Sequence, residues 1–322
     1  MKMLLDMDVG VDDALGLLYA LRSPEIDVEA VTLVSGNVPV ETAYANALLV
    51  IEVAGAQRPR TVAKGAERPL VREPVYAGQV HGVDGLGNLF QYLDASGRPR
   101  YHLPKPTATS EHAADVLCRV LSESPGEVTL VATGPMTNLA LALRRDPGVL
   151  SKARRVVCMG GAFGVPGNIT AVAEFNVFAD PHAAREVLQS GANITLVGLD
   201  VTQRAVLHRE TLHEWCSFSN TAIGQFILDA TGFCMDFHRD VEGFDGMYMH
   251  DPLAVAAGAE PSLVRTERMC VDVETEGAIT SGMTVVDRRP RSSDRQGVWV
   301  DVATDVDTDA FMRAFRAVVL GC

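Results

Sequence analysis

The sequence predicts an α/β protein with a doubly wound, mostly parallel central sheet, for three reasons. Short runs rich in β-branched residues alternate with longer segments of helical spacing through about the first 200 residues, which is the βαβ rhythm of such sheets. The strand-like runs end at polar or glycine-containing turns, as strands that lead into crossover helices do. The chain has 322 residues, of which 47% are hydrophobic, and this is enough to form the core of one large domain.

The predicted elements follow in chain order. A first strand ends near Asp6, and a helix with apolar periodicity covers Leu15 to Leu21. Further strands are predicted at 28–35, 128–132, 156–159 and 194–199, and further helices at 41–54, 113–121, 136–145 and 180–189. Residues 209–239 indicate helices within an insertion at about 205–248, and residues 264–302 alternate like short strands and turns. We therefore predict a single domain, residues 1–322, with a helical insertion and a short β-rich C-terminal part.

Composition and charge narrow the classes of partner. The net charge of −13 disfavours nucleic acids and anionic membranes as partners, because their phosphates repel an acidic surface. No apolar stretch approaches the roughly 20 residues that span a bilayer. Met1-Lys2-Met3 lead directly into the first strand, which leaves no room for a signal peptide. The six cysteines form no CxxC pair, so we expect reduced thiols and a cytoplasmic protein.

Four carboxylates lie in eight positions near the start of the chain, between a predicted strand and a predicted helix. They are Asp6, Asp8, Asp12 and Asp13, in the run Asp6-Met7-Asp8-Val9-Gly10-Val11-Asp12-Asp13-Ala14. Open α/β sheets bind ligands at the carboxyl ends of their strands, and like charges so close together are most simply stabilised by a bound cation. The alternative is that Asp12 and Asp13 only cap the helix, which leaves Asp6 and Asp8 unexplained.

Other strand ends contribute polar residues to the same edge of the predicted sheet. These segments are 35–37, 133–138, 159–162, Asp200 and 250–251, and two further polar loops are 81–88 and 167–176. Together they are rich in Asp and Asn and poor in Lys and Arg, which suits a hard cation and a polyhydroxy ligand better than a phosphate. Taken singly, each has a plain alternative: His81 as an ordinary loop residue, Asn168 and Asn176 as turn formers, and Asp251 as a helix cap.

The content and order of these segments resemble those of the inosine-uridine-preferring nucleoside hydrolases, a family of nucleoside N-ribohydrolases with a Rossmann-like fold. The resemblance rests on the DxDxGxDDA run, Gly36-Asn37, His81-Gly82, Thr133-Gly134-Pro135-Met136-Thr137-Asn138, Met159-Gly160-Gly161-Ala162, Gly167-Asn168, Glu174-Phe175-Asn176, Asp180-Pro181 and His250-Asp251-Pro252. Two positions of the first run depart from the family pattern. Met7 stands where Thr or Cys is usual, and Val9 stands where Pro is usual.

The resemblance implies one Ca²⁺ ion at the bottom of the active site. Its protein ligands would be Asp8, Asp13, the backbone carbonyl of Thr133, and Asp251. Ribose hydroxyls and a water would complete a shell of oxygen atoms, which is the ligand type that Ca²⁺ prefers. Because Thr133 would act through its carbonyl, its side chain is predicted to be replaceable.

The resemblance also implies the reaction, which is hydrolysis of the N-glycosidic bond of ribonucleosides to free base and ribose. Asp8 would act as general base on a water that also contacts Ca²⁺, and His250 would be the acid for the leaving base. The remaining substrate contacts would come from Asp12, Asn37, His81, Met159, Asn168, Glu174 and Asn176. A homodimer or homotetramer is implied, and His250 favours the branch that accepts inosine and uridine or prefers pyrimidines.

Two other functions stay open at this point. A metal-dependent phosphatase of the haloacid dehalogenase type also starts with Asp-x-Asp after a strand, but it needs a Lys to hold phosphoryl oxygens, and this chain has few Lys and extra acids there. A non-catalytic ribose- or nucleoside-binding protein is the second alternative. Turnover would distinguish it, because Asp8→Asn has no activity to remove in a pure binder.

Overall fold

The computed structural model describes residues 1–55, 59–102, 111–219, 221–290 and 294–321. Its strands are β1 Lys2–Met7, β2 Asp27–Leu33, β3 Thr61–Lys64, β4 Val128–Ala132, β5 Arg155–Met159, β6 Ile194–Val197, β7 Val206–His208, β8 Gly246–Tyr248, β9 Val264–Val273, β10 Thr284–Val286 and β11 Val298–Val306. Its α-helices are α1 Val11–Arg22, α2 Val40–Ala54, α3 Gly78–His81, α4 Ala113–Glu123, α5 Thr137–Arg145, α6 Phe175–Ala179, α7 Pro181–Leu188, α8 Leu199–Thr202, α9 Arg209–Ser219, α10 Ala222–Phe237, α11 His250–Ala259 and α12 Thr308–Leu320.

Nine of these strands form one sheet in the order β10-β9-β11-β6-β5-β4-β1-β2-β3. Neighbouring strands from β11 to β3 all pair in parallel. The predicted fold class, a mostly parallel α/β sheet, is therefore confirmed. Strand β1 lies between β4 and β2, so the acidic run that follows it emerges near the middle of the sheet, flanked by the ends of both neighbours.

The C-terminal strands form the β-rich part that the sequence predicts. Strands β9, β10 and β11 extend the central sheet, since β11 pairs in parallel with β6 and antiparallel with β9. At ten and nine residues, β9 and β11 are longer than the short strands expected. The sequence pattern did not reveal this length, because antiparallel strands can leave one face to solvent and then alternate between apolar and polar residues.

Helices cover both faces of the sheet. Helices α1, α2, α11 and α12 share one apolar core, and α4, α5 and α7 share another. Each large apolar side chain that is fully buried, such as Leu15 or Leu117, contributes about 1.5–3 kcal/mol to folding. Helix α1 begins at Val11, earlier than its apolar periodicity indicates, so Asp12 and Asp13 lie in its first turn.

Residues 205–248 contain β7, α9, α10, a π-helix at His238–Glu242, and β8. Strands β7 and β8 pair with each other and not with the central sheet. That this segment is an insertion into a single domain stays a prediction. Among the described residues, no helix combines the length and the apolar character needed to cross a membrane.

Candidate active site

A pocket opens where the carboxyl ends of β1, β2, β4 and β5 meet the loops around residues 81 and 168. Its volume, counted with the open mouth, is about 910 Å³. Ten of the residues predicted from the sequence line it: Asp12, Asn37, His81, Thr133, Met159, Asn168, Glu174, Asn176, His250 and Asp251. The other two, Asp8 and Asp13, are fully buried and lie outside the lining.

The carboxylates form one cluster, although they come from both ends of the chain. Asp12, Asp13 and Asp251 each offer an oxygen, and these oxygens lie within 4.8 Å of one another. Asp251 is the second residue of α11, and this helix packs closely on α1, where the backbone of Asp251 would be 3.4 Å from a Cβ added at Gly16. A larger residue at position 16 would press the two helices, and hence their acids, apart.

Backbone and side-chain donors hold Asp8 and Asp13 in place. The amide of Asn37 donates to Asp8 Oδ2 at 2.6 Å. Asp13 Oδ2 accepts from the Gly10 amide at 2.9 Å and from Asn37 Nδ2 at 3.2 Å. Asp8 Oδ1 and Asp12 Oδ1 are buried without a hydrogen-bond partner among the described residues. Buried acceptors of this kind are costly unless something positive meets them.

Burial and mutual repulsion disfavour charge on these acids. Burial raises the pKa of Asp12 to about 7, and the neighbouring Asp13 adds to the rise. The pKa values of Asp8 and Asp251 are also raised well above the usual range of a carboxyl group, first by burial and then by the other carboxylates. A divalent cation would remove this penalty, and oxygen ligands from carboxylates suit a hard cation. The donor set and the two unpaired oxygens therefore fit a metal ion.

Thr133 contributes both its hydroxyl and its carbonyl to this cluster. The hydroxyl donates to Asp13 Oδ1 at 2.7 Å, and the carbonyl accepts from Asn176 Nδ2 at 2.7 Å. The side chain of Thr133 is therefore engaged with a proposed metal ligand. This contact argues against the expectation that it is replaceable, since a buried carboxylate that loses a donor is destabilised.

A second part of the pocket wall is built around the start of α6. The carboxylate of Glu174 caps this helix, because it accepts from the amides of Asn176 at 2.8 Å and Val177 at 3.1 Å. It also accepts from the Gly161 amide at 3.1 Å. Asn168 Oδ1 accepts from the Phe175 amide at 2.9 Å. These bonds fix the polar side chains that line the pocket before any ligand arrives.

Two histidines that the sequence indicated lie in the pocket with defined partners. The Val11 amide donates to His81 Nδ1 at 3.0 Å, so a neutral His81 carries its proton on Nε2. Burial lowers the pKa of His81 to about 4, and His238 contributes. His250 Nδ1 lies 2.7 Å from the hydroxyl of Thr202.

Sequence reasoning missed several residues of the pocket wall. His238, Glu242, Met247 and Gln203 all line it, together with Phe237 and Tyr248. His238 Nδ1 lies 2.8 Å from the carbonyl of Cys234, and a carbonyl only accepts, so Nδ1 carries the proton of the neutral ring. The only available signal was the run of aromatic residues around this histidine, which also fits an ordinary core.

Neither tryptophan lines the pocket. Trp215 is buried under the guanidinium of Arg316, and Trp299 is half exposed on β11. The aromatic wall is made instead by a chain of rings in which Tyr248 lies 5.2 Å from His238 and 5.3 Å from His250 between ring centroids. A flat heterocycle would find stacking partners there.

Comparison with known proteins agrees with this geometry. Residues 3–313 match the family model described as inosine-uridine preferring nucleoside hydrolase. The chain is 39% identical to the pyrimidine-specific ribonucleoside hydrolase RihA of Klebsiella pneumoniae, over 97% of this chain and 96% of that protein. It is 38% identical to a probable uridine nucleosidase 1 of Oryza sativa subsp. japonica, over 95% of this chain and 92% of that protein.

Among solved structures, a plant nucleoside hydrolase, PpNRh1, superposes with a TM-score of 0.89 at 34% identity, covering 100% of this chain and 99% of that one. A match over nearly the whole sequence and a superposition over the whole fold agree with each other. The chain belongs to the inosine-uridine preferring nucleoside hydrolase family.

Proposed function

We propose that this protein hydrolyses the N-glycosidic bond of ribonucleosides and releases the free base and ribose. The observation that supports this most directly is the buried group of Asp12, Asp13 and Asp251 at the floor of a pocket whose wall carries histidines. Family membership supports the same reaction. Carboxylates around the sugar and a proton donor near the base are what cleavage of such a bond requires.

We propose Ca²⁺ as the ion of the acidic cluster. Asp8, Asp13, Asp251 and the carbonyl of Thr133 would hold it, and Asp12 lies close enough to contribute. Mg²⁺ would demand a tighter octahedron of ligands. A bound Ca²⁺ supplies positive charge that orients ribose hydroxyls and makes a neighbouring water easier to deprotonate.

Asp8 is our proposed general base. One of its oxygens is fixed by the Asn37 amide, and the other has no partner among the described residues. An oriented carboxylate with one free oxygen is well placed to take a proton from an attacking water. Direct attack by water predicts inversion at the anomeric carbon.

The ribose would be held by Asp12, Asn37, Asn168, Glu174 and Asn176, with Met159 against the sugar and His81 beside it. These groups line one pocket, and the carboxylates of Asp12 and Glu174 would stabilise an oxocarbenium-like transition state. A 2′-deoxyribose would leave buried acceptors unpaired, which is costly. We therefore expect strong selection for ribonucleosides.

His250 is the proposed acid for the leaving base, and we propose that pyrimidine ribonucleosides, uridine above all, are the preferred substrates. The names of the two relatives, a pyrimidine-specific hydrolase and a uridine nucleosidase, support this preference. Assembly as a homodimer or homotetramer and a cytoplasmic location stay predictions from the sequence. The phosphatase and the pure binder have no support from the comparisons.

The test is release of ribose from uridine, cytidine, inosine, adenosine, guanosine, thymidine and uridine monophosphate, with added Ca²⁺ and again with a chelator. We expect chelator-sensitive cleavage of ribonucleosides, with thymidine and the nucleotide inert. Asp8→Asn should abolish turnover and largely spare ribose affinity. Release of phosphate from the nucleotide, or no turnover by Ca²⁺-loaded protein on any nucleoside, would overturn the proposal.

A further inference from the structure

The hydroxyl of Thr202 is the hydrogen-bond partner that the structure gives to His250. Thr202 is the last residue of α8, the short helix that follows β6. Its Oγ1 lies 2.7 Å from His250 Nδ1, and the residue is fully buried. Thr202 does not line the pocket, whereas His250 does, so the hydroxyl contacts the histidine from behind.

This contact matters because an imidazole at neutral pH is mostly uncharged and carries a single N–H. If that proton is on Nδ1, the Nε2 atom offers only a lone pair and cannot donate to a substrate. If Nδ1 accepts a hydrogen bond, the proton resides on Nε2. A hydroxyl can supply that bond because it has a proton to give, whereas a backbone carbonyl, the partner of His238, cannot.

The surroundings of Thr202 suit a fixed donor. Its own amide is bonded within α8 to the Gly198 carbonyl at 3.1 Å, and the χ1 angle of a β-branched residue in a helix is restricted to few rotamers. The ring of His250 is also held from the side by Tyr248, at 5.3 Å between centroids. Position and tilt of the imidazole are thus set by two neighbours, the buried Thr202 and the half-buried Tyr248.

We propose that Thr202 is a positioning residue that donates its hydroxyl proton to His250 Nδ1 and so presents Nε2–H to the departing base. This inference rests on the proposed function, in which His250 assists the leaving group. Thr202 would touch no part of the substrate and would act only on the step in which the C–N bond breaks and the base gains its hydrogen bond or proton.

The decisive experiment compares two substrates that share the ribose and differ in the leaving group. Uridine needs help for its departing base, whereas p-nitrophenyl β-D-riboside releases a stable phenolate that needs no proton. Thr202→Val keeps the shape and removes the hydroxyl, and Thr202→Ser keeps the hydroxyl. Thr231→Val is the matched control, since Thr231 is buried and its hydroxyl donates to the Ile227 carbonyl at 2.8 Å.

With Ca²⁺ present, we expect Thr202→Val to lower kcat on uridine by about tenfold or more, because general acids contribute about 10²–10⁴-fold. Its kcat on the p-nitrophenyl riboside should stay within about twofold of the unchanged protein, and Thr202→Ser should recover most of the loss on uridine. Thr231→Val should leave the ratio between the two substrates unchanged. An equal fall on both substrates, or no fall on uridine, would refute the positioning role.

A second measurement needs no variant. In the Ca²⁺-loaded protein labelled with ¹⁵N-histidine, the imidazole shifts of His250 should show a protonated Nε2 and an unprotonated Nδ1. The opposite tautomer would overturn the proposal even if Thr202→Val failed to fold. If the unchanged protein cleaved neither substrate, the proposed function itself would fail, an outcome that is distinct from a normal enzyme with an insensitive Thr202.

Discussion

Replacement of Gly36 by alanine should damage the site, because the added methyl group would collide with the carboxylate of Asp8. Gly36 follows β2, beside the end of β1, and a Cβ built on it would lie 2.1 Å from Asp8 Oδ2 and 2.6 Å from Pro135 Cδ. Ordinary van der Waals contact begins at about 3.4 Å. The backbone itself tolerates alanine, because Gly36 is not among the glycines with positive φ. The obstacles are therefore the Asp8 carboxylate, which is the closer, and the ring of Pro135.

The size of the effect follows from that distance. Relief of the clash would move the Asp8 carboxylate by about 1 Å. The carboxylate has little room to move, because Gly134 lies close to its other oxygen: a Cβ built on Gly134 would be 2.9 Å from Asp8 Oδ1. The hydrogen bond from the Asn37 amide would be lost as well. A displacement of about 1 Å in a catalytic group can cost about 10²-fold in rate, and overpacking costs about 1–3 kcal/mol of stability.

The assay is kcat on uridine with saturating Ca²⁺, together with the temperature of unfolding. The control is Gly148→Ala, where only Asp146 Oδ1 lies within 4 Å of the added Cβ, at 3.6 Å, and where φ is −95°. It should match the unchanged protein in both measurements. A folded Gly36→Ala protein with normal kcat would refute the claim that the position of Asp8 controls the reaction.

Three further predictions concern the same pocket. Thr133→Val should weaken Ca²⁺ binding by about tenfold in calorimetry, because the hydroxyl bond to Asp13 at 2.7 Å is lost, whereas Thr133→Ser should bind normally; equal affinities would return this side chain to a replaceable role. His238→Phe keeps an aromatic wall but removes the Nε2 acceptor that the Cys234 carbonyl enforces. Since uracil offers N3–H and cytosine a lone pair at that position, the ratio of kcat/KM for uridine over cytidine should fall about threefold to tenfold; an unchanged ratio would exclude this contact. Burial raises the pKa of Asp12 from 3.8 to about 7. Between pH 3.8 and about 7 the folded protein therefore keeps a proton on Asp12 that the unfolded chain has lost. The free energy of unfolding consequently falls as the pH rises through this range. Ca²⁺ should therefore raise the unfolding temperature more at pH 8 than at pH 5, and a chelator should abolish the difference; an equal rise at both pH values would contradict it.

The parts of the site that lie at strand ends could be predicted from the sequence. Asp8, Asn37, Thr133 and Met159 follow strands of one parallel sheet or end them, and the parallel order brings those ends to one edge. No knowledge of distances was needed for that step. The sequence could not show, however, that Asp8 and Asp13 lie beneath the pocket rather than in its lining, since depth depends on how α1 packs.

Two of the residues that escaped prediction come from a segment without a strand end. His238 and Glu242 reach the pocket because α10 continues into a π-helix. A π-helix has about one more residue per turn than an α-helix, so its side chains point in directions that the periodicity of the sequence does not predict. The sequence also could not show that one side chain has two structural contacts. Asn176 bonds both the Thr133 carbonyl and, at 3.2 Å, the Met159 carbonyl, so an amide expected to hold ribose also ties two strands together.

The acidic cluster has a consequence for the order in which the protein can be made. Asp8 leaves the ribosome with the first strand, but Asp251 emerges only after most of the sheet has been synthesised, and β11 must still enter beside β6. Pairings between segments so far apart in the sequence form late, because closing the long loop between them costs conformational entropy. A growing chain therefore carries three of its four cluster acids, together with most of the core, before the ion has a complete set of ligands. We therefore expect the proposed Ca²⁺ to bind after most of the sheet has formed, so that synthesis without this ion should leave folded, empty protein rather than unfolded chains.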